Sequence, residues 1–139
     1  MLRLARSLRS TCAAVSSLVL GAAITAPSTG VQHPQPRVIQ LDSTARGYTP
    51  VLTGPPATAT MRSGYVVLAP GDSVGWHSTE RYEEVIVVLS GSGRLIFRGG
   101  RELALQPHAV AYTPPQTEHD VVCTGTQPLR YLYVVSRAF

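Results

Sequence analysis

His77 is followed by Glu80, Glu83 and Glu84, then by five consecutive apolar residues (85–89), Ser90 and Gly91. Imidazole nitrogens and carboxylate oxygens are the ordinary protein ligands of divalent metals. Left in water at a strand end, these residues would do no chemistry. Aimed inward from the mouth of a buried strand, they would face an ion. Alternation alone does not choose between the two adjacent glutamates. Ile86 and Val88 lie in phase with Glu84, Val85 and Val87 with Glu83, and both faces are apolar.

A second short run, residues 118–123, places His119, Val121 and Cys123 at two-residue spacing and so on one strand face. Cys123 is therefore expected to look into the same interior as His119. A buried cysteine most often behaves as a small hydrophobe; the alternatives are a soft extra ligand or a reactive thiolate. The other histidines carry less. His33 lies in a proline-rich stretch and reads as solvated, and His108, between Pro107 and Ala109, reads as an exposed turn residue. Glu80 reads as a turn residue as well. Tyr82, Tyr112, Tyr131 and Tyr133 read as wall or core residues, and Trp76, out of phase with His77, should face away from it.

The elements that would position these groups are short strands. Residues 85–89 are few and rich in β-branched side chains, which favours a buried strand over a helix. From Met61 onward, apolar runs of four to seven residues alternate with Gly or Pro turns about every ten residues. RSGYVVL, RLIF, ELAL, VAYT, EHDVVC and LRYLYVV all read as strands, and VIQLD and YTPVL as short edge strands. RGGR fits a two-residue Gly-Gly hairpin, where both central residues can take positive φ. No helix-period segment competes. The expected fold class is all-β, a small antiparallel jelly-roll barrel.

The chain has 139 residues, with 12 Gly and 11 Pro but only 14% charged residues. One domain with a real core is the natural size. The formal charge of +4 suggests an acidic partner until its location is considered. Arg3, Arg6 and Arg9 precede every acid, and the part from Pro27 onward carries nine arginines against eight acids. The remaining arginines are scattered, which argues against a nucleic-acid face.

Residues 1–26 begin with arginines and continue into a small-residue apolar stretch, the order of a secretory signal peptide. That stretch, the 14 residues 13–26, is too short to span a bilayer. An organelle presequence or an uncleaved tail would share these features. The surroundings of Cys12 lack the apolar residue of a lipidation site, so no stable membrane anchor is expected. Export would leave Cys123 as the lone thiol, with no disulfide within the mature chain. Residues 27–46 read as a linker and N-terminal arm, and 47–139 as the barrel.

Two stretches resemble the paired motifs of the cupin family. Gly71, His77, Glu84 and Gly91 fall at the spacing of the first, in which Thr79 replaces a second histidine. Pro114 and His119 match the second, with Gln116 where that motif has glycine and Cys123 where it has asparagine. The resemblance covers roughly residues 60–136. It implies a small single-domain cupin barrel with metal ligands at His77, Glu84 and His119. The motif spacing to Gly91 selects Glu84 over Glu83. Thr79 would line the cavity at the position of the absent histidine, facing where its imidazole would sit, together with Cys123.

Two histidines and one carboxylate form the ligand set of non-haem Fe(II) oxygenases, and the same set can hold Mn, Ni, Co or Zn. The resemblance thus implies a divalent metal cofactor and a small, oxygen-rich ligand or substrate. If the protein is an enzyme, a dioxygenase-like oxidoreductase is the first expectation, followed by an isomerase or decarboxylase. The alternative is a non-catalytic sensor or carrier module. The expected partners are that small molecule and, in a homodimer, a second copy of the chain; nucleic acid is not expected.

Overall fold

The computed structural model describes residues 33–139, so the segment read as a signal peptide lies outside the described residues. Nine strands follow one another without a helix in this part: β1 (Gly47–Thr53), β2 (Arg62–Leu68), β3 (His77–Ser78), β4 (Tyr82–Ser90), β5 (Gly93–Phe97), β6 (Glu102–Leu105), β7 (Val110–Thr113), β8 (Glu118–Cys123) and β9 (Leu129–Arg137). One sheet has the order β1–β2–β9–β4–β7 and the other β3–β8–β5–β6, with antiparallel pairing throughout. The protein is an all-β barrel of two facing antiparallel sheets.

The inner faces follow from the two-residue period. On β4, Glu84, Ile86 and Val88 are buried, whereas Glu83, Val85 and Val87 are only half-buried on the outer face. Ile86 and Val88 pack with Leu95, Leu105, Val121 and Leu129 into a closed end of the barrel. Each such fully buried aliphatic side chain contributes roughly 1.5–3 kcal/mol. This end is therefore the stable half, and the opposite end is free to stay open. The turn after β4 passes close beneath β9: Gly91 has φ +77°, and a Cβ there would run into the Pro128 carbonyl. Only glycine fits that approach.

Three local expectations are corrected. Residues 38–42, VIQLD, form no strand; Val38, Ile39 and Leu41 are exposed with no strand to pair. Asp42 ends the segment in a turn by accepting hydrogen bonds from the Thr44 amide and hydroxyl. The RGGR hairpin is one residue longer than expected. Phe97 N donates to Arg101 O, which leaves Arg98, Gly99 and Gly100 in the loop, both glycines at positive φ. Tyr112 is neither wall nor core: it lies opposite Val85 on the outer face, and its hydroxyl donates to Glu83.

Candidate metal centre

Pairing places the two histidines side by side. His77 on β3 is the direct partner of His119 on β8, and their ring centroids are 4.3 Å apart. Directly opposed residues of an antiparallel pair share a face, so both rings lie on the inner side of the four-stranded sheet. Glu84 arrives from the other sheet, held between Val135 on β9 and Thr113 on β7. One ligand atom from each of His77, Glu84 and His119 lies within 4.8 Å of the others. His119 is fully buried and Glu84 nearly so, while His77 stands exposed at the open end.

The hydrogen bonds fix the tautomers. A carbonyl oxygen can only accept, so His77 Nδ1–H donates to Gly75 O at 2.8 Å and His119 Nδ1–H donates to Thr117 O at 3.2 Å. Each ring's Nε2 is thereby left as the donor atom for an ion. A backbone anchor on one ring nitrogen is the usual way a metal-binding imidazole is oriented. His119 Nε2 is buried and makes no well-aligned hydrogen bond, although Glu84 Oε2 stands 2.9 Å away. Two lone-pair atoms at that distance in a buried site repel unless a cation or a proton lies between them. The residues present fit a divalent ion.

A proton is the other means of relief, and the site is built to hold one. Burial works against an imidazolium at His119, yet the Glu84 carboxylate, the Thr117 carbonyl and Asp120 together carry its pKa above the ordinary value. Proton and metal would then compete for the same nitrogen. The buried Thr113 hydroxyl, directly across from Glu84, also lacks a hydrogen-bond partner. It marks a second unsatisfied polar atom beside the same carboxylate.

Glu83, the neighbouring acid, faces outward and accepts the Tyr112 hydroxyl at 3.1 Å. Trp76 is turned away from the histidines and stacks beneath Arg98, whose guanidinium lies 4.1 Å from the ring centre. His33 and His108 are exposed.

Thr79 borders the cavity but does not present its hydroxyl there as a free group. β3 ends at Ser78, so strand alternation no longer governs Thr79. Its Oγ1 donates to Pro114 O at 2.8 Å and accepts the Thr117 amide at 3.0 Å. The hydroxyl clasps the β3–β4 loop to the β7–β8 loop, and the Gln116 amide reinforces that clasp by donating to Glu80 O. Glu80 and Gln116 both take positive φ there, Gln116 adopting the conformation that the family's glycine supplies without strain.

Cys123 does not line the cavity. It is buried in the closed-end core, where its thiol points to Gln127 O at 3.5 Å. The shared face of β8 runs from the site at His119 into the packed end. Four residues of strand cover roughly 13 Å, enough to leave the cavity behind.

Asp120 was not visible as a functional residue in the sequence. Its Oδ1 accepts the Gly75 amide at 2.9 Å, and Gly75 O in turn receives the His77 Nδ1–H. Gly75 has φ +93°, a conformation that glycine takes without strain, and the turn it makes presents both groups. The available signal was an acid inside an apolar strand run, which must find a donor when buried.

The cavity beside the three ligands has a volume of about 500 Å³. Its walls are mainly aliphatic and phenolic, with Tyr82, Tyr131 and Tyr133 among them. Burial above all, with Glu84, Tyr133 and Asp120 behind it, holds the Tyr131 phenol well above its usual range, so it is a neutral hydrogen-bonding group at physiological pH.

The family profile described as Cupin domain matches residues 64–135. That is more than half of the chain, which belongs to this family. No curated protein matches the sequence. The fold is similar to many solved structures. One is the cupin domain of Cnp3 from Schizosaccharomyces pombe, with TM-score 0.59 and 12% identity over 65% of this chain and 63% of that one, just under two thirds of its length. A Cupin 2 conserved barrel domain protein from Salinispora arenicola gives TM-score 0.62 and 22% identity over 75% and 91%. A predicted oxalate decarboxylase from Thermotoga maritima gives TM-score 0.53 and 19% identity over 71% and 99%. At these identities the likeness concerns the fold.

Proposed function

We propose that this cupin binds one divalent metal through His77, Glu84 and His119, and that the metal acts on a small molecule bound in the adjoining cavity. The observation that carries this reading is the buried His119 Nε2, unpartnered and 2.9 Å from the Glu84 carboxylate. Among the described residues three protein ligands converge, with His77 at the open end, an arrangement typical of reactive rather than structural sites. Bound there, Fe or Mn would supply dioxygen chemistry, and Zn, Ni or Co would supply polarisation of a ligand oxygen. The chain's own contribution is to fix both imidazoles through carbonyl acceptors, to surround the ligand with aliphatic walls that exclude water, and to offer the Tyr131 phenol as a donor.

The first enzymatic reading is an oxidoreductase of dioxygenase type acting on an enol, phenol or diketone. A non-catalytic sensor or carrier is the second, favoured by one observation: among the described residues lining the cavity, no carboxylate or imidazole stands outside the three ligands to act as a base. Loading the protein anaerobically with Fe(II), Mn(II), Ni(II) and Zn(II) and measuring dioxygen uptake over a panel of such compounds separates the two. Turnover by the Fe or Mn form supports the oxidoreductase. Binding without turnover by any form supports the carrier.

The proposed location is outside the cytoplasm, on the composition of residues 1–26. The intact mass of protein recovered from its host should place the mature N-terminus near Pro27 or Val31. A complete cytosolic chain would overturn export.

A further inference from the structure

Arg62 lies on the same crosswise row of the five-stranded sheet as the carboxylate ligand. It pairs with Val135 on β9, and Val135 pairs with Glu84 on β4. Directly opposed residues share a face, so Arg62, Val135 and Glu84 all border the interior, as the cavity lining confirms. Two strand spacings separate Arg62 from Glu84, roughly 10 Å between backbones. This is the span of a small planar molecule plus the ligands at its ends.

Arg62 is also the lone arginine among the described cavity-lining residues. It forms no ion pair and donates no side-chain hydrogen bond among the described residues, unlike Arg94 and Arg98, which hold Glu102 and Glu118. Its guanidinium lies 5.7 Å from the centre of the Tyr82 ring, which steadies the cation without neutralising it. A cationic fork left free at a cavity rim matches a carboxylate in bidentate geometry.

Charge balance points the same way. A divalent ion on one carboxylate and two neutral imidazoles leaves a surplus positive charge, and Arg62 adds another at the far side. Tyr133 sits between the two poles: burial chiefly, then Tyr48 and Glu84, raise its phenol, while Arg62 pulls it down. The walls between the poles are apolar and phenolic, suited to a planar hydrocarbon body.

We propose that Arg62 is the carboxylate-binding group of this cavity, and that its ligand is a small hydroxyaryl or enolic acid with the acid group on Arg62 and its oxygen donor toward the three ligands. The inference rests on the cavity being the ligand site of the metal centre proposed above. Isothermal titration of the full-length protein, both chelator-treated and zinc-loaded, tests it with 4-hydroxyphenylacetate and the neutral 4-hydroxyphenylacetamide as probes. Wild-type protein should bind the acid in preference to the amide. Arg62→Gln should weaken the acid by about tenfold or more and leave the amide unchanged, and Arg62→Lys should keep part of the affinity. Thermal melting of both variants verifies that they are folded. Equal affinity of wild type and Arg62→Gln for the acid, preference for the amide, or binding of neither probe would overturn the proposal. The two readings fail separately: Arg62-dependent binding that survives without zinc retention leaves this subsite standing and removes the metal centre. Zinc retention with acid binding indifferent to Arg62 does the reverse.

Discussion

His119 and Glu84 belong to different sheets, yet Nε2 of one and Oε2 of the other are 2.9 Å apart. Whatever occupies the space between them joins the two halves of the barrel at its open end. With a divalent ion there, the full-length protein should carry about one ion per chain by elemental analysis. His77→Ala, Glu84→Ala and His119→Ala should each lower metal affinity by about tenfold or more, because three ligands leave no redundancy. Glu83→Ala should leave it unchanged, since that carboxylate faces Tyr112 on the outer surface. Loss of metal with Glu83→Ala but not with Glu84→Ala would refute the assignment.

The same pair sets a pH dependence. The folded-state pKa of His119 lies above its ordinary value of 6.5; burial, the largest single influence, opposes this, and Glu84, the Thr117 carbonyl and Asp120 together more than offset it. A raised pKa means the folded state holds the proton more tightly than the unfolded one. In metal-free protein the resulting stabilisation is fully present below about pH 6.5 and is lost as pH rises through the folded pKa. Metal binding requires the neutral ring, so metal affinity should run the opposite way and fall on acidification. Melting temperatures recorded across this range, with chelator and with Zn(II), should diverge as pH rises. Parallel curves would show that His119 does not hold the shared proton.

Thr79 supports the site through two backbone contacts, to Pro114 and Thr117, on the loop that leads into β8. Thr79→Val should cost about 1–3 kcal/mol, because it removes both part-buried hydrogen bonds of the clasp, whereas Thr79→Ser should be nearly neutral. Thr79→His restores the family's set of three histidines and one glutamate on paper. It is expected to lower stability here, since the clasp is lost before any ligand is gained. Thermal denaturation of the three variants decides the point. A stable Thr79→His with raised metal affinity would show that the loop can release the clasp.

Much of the fold was legible because strand, turn and motif signals agreed. β2, β4, β5, β6, β7, β8 and β9 stand where their apolar runs and flanking Gly or Pro residues place them. Spacing to Gly91 also separated Glu84 from Glu83, where alternation could not. Two misreadings at the site come from carrying strand alternation too far along the chain. Thr79 lies one residue beyond β3, where the chain has already turned. Cys123 keeps the phase of His119 but lies far enough along β8 to enter the packed end. Asp120 works through the backbone of Gly75, 45 positions earlier in the chain, a relation that no local pattern encodes.

Cys123 supplies a direct check on that geometry. Its side chain is fully buried among Leu95, Leu129 and their neighbours, remote from the open end. A thiol in such surroundings has little access to solvent or to a reagent. Native full-length protein treated with a maleimide at neutral pH, then digested and mapped by mass spectrometry, should show Cys123 unmodified. Modification should follow only after denaturation. Rapid native labelling would place this cysteine at the surface or in the cavity.

Asp120 carries the prediction that best separates orientation from ligation. It touches no ligand atom; it holds the Gly75 amide, and Gly75 O holds the His77 Nδ1–H. His77 is the exposed ligand, so little else restrains its ring. Asp120→Ala frees the loop and should lower metal affinity by about 10–100-fold, the usual effect of removing an outer support of a metal-binding histidine. Asp120→Asn keeps an oxygen that can accept the same amide, so it should retain most of the affinity while losing the negative charge. A charge effect on His119 would instead make the two substitutions alike. Competition with a chelator, measured for both variants against wild type, distinguishes these outcomes. Equal losses would show that Asp120 acts as a charge rather than as the anchor of the Gly75 loop.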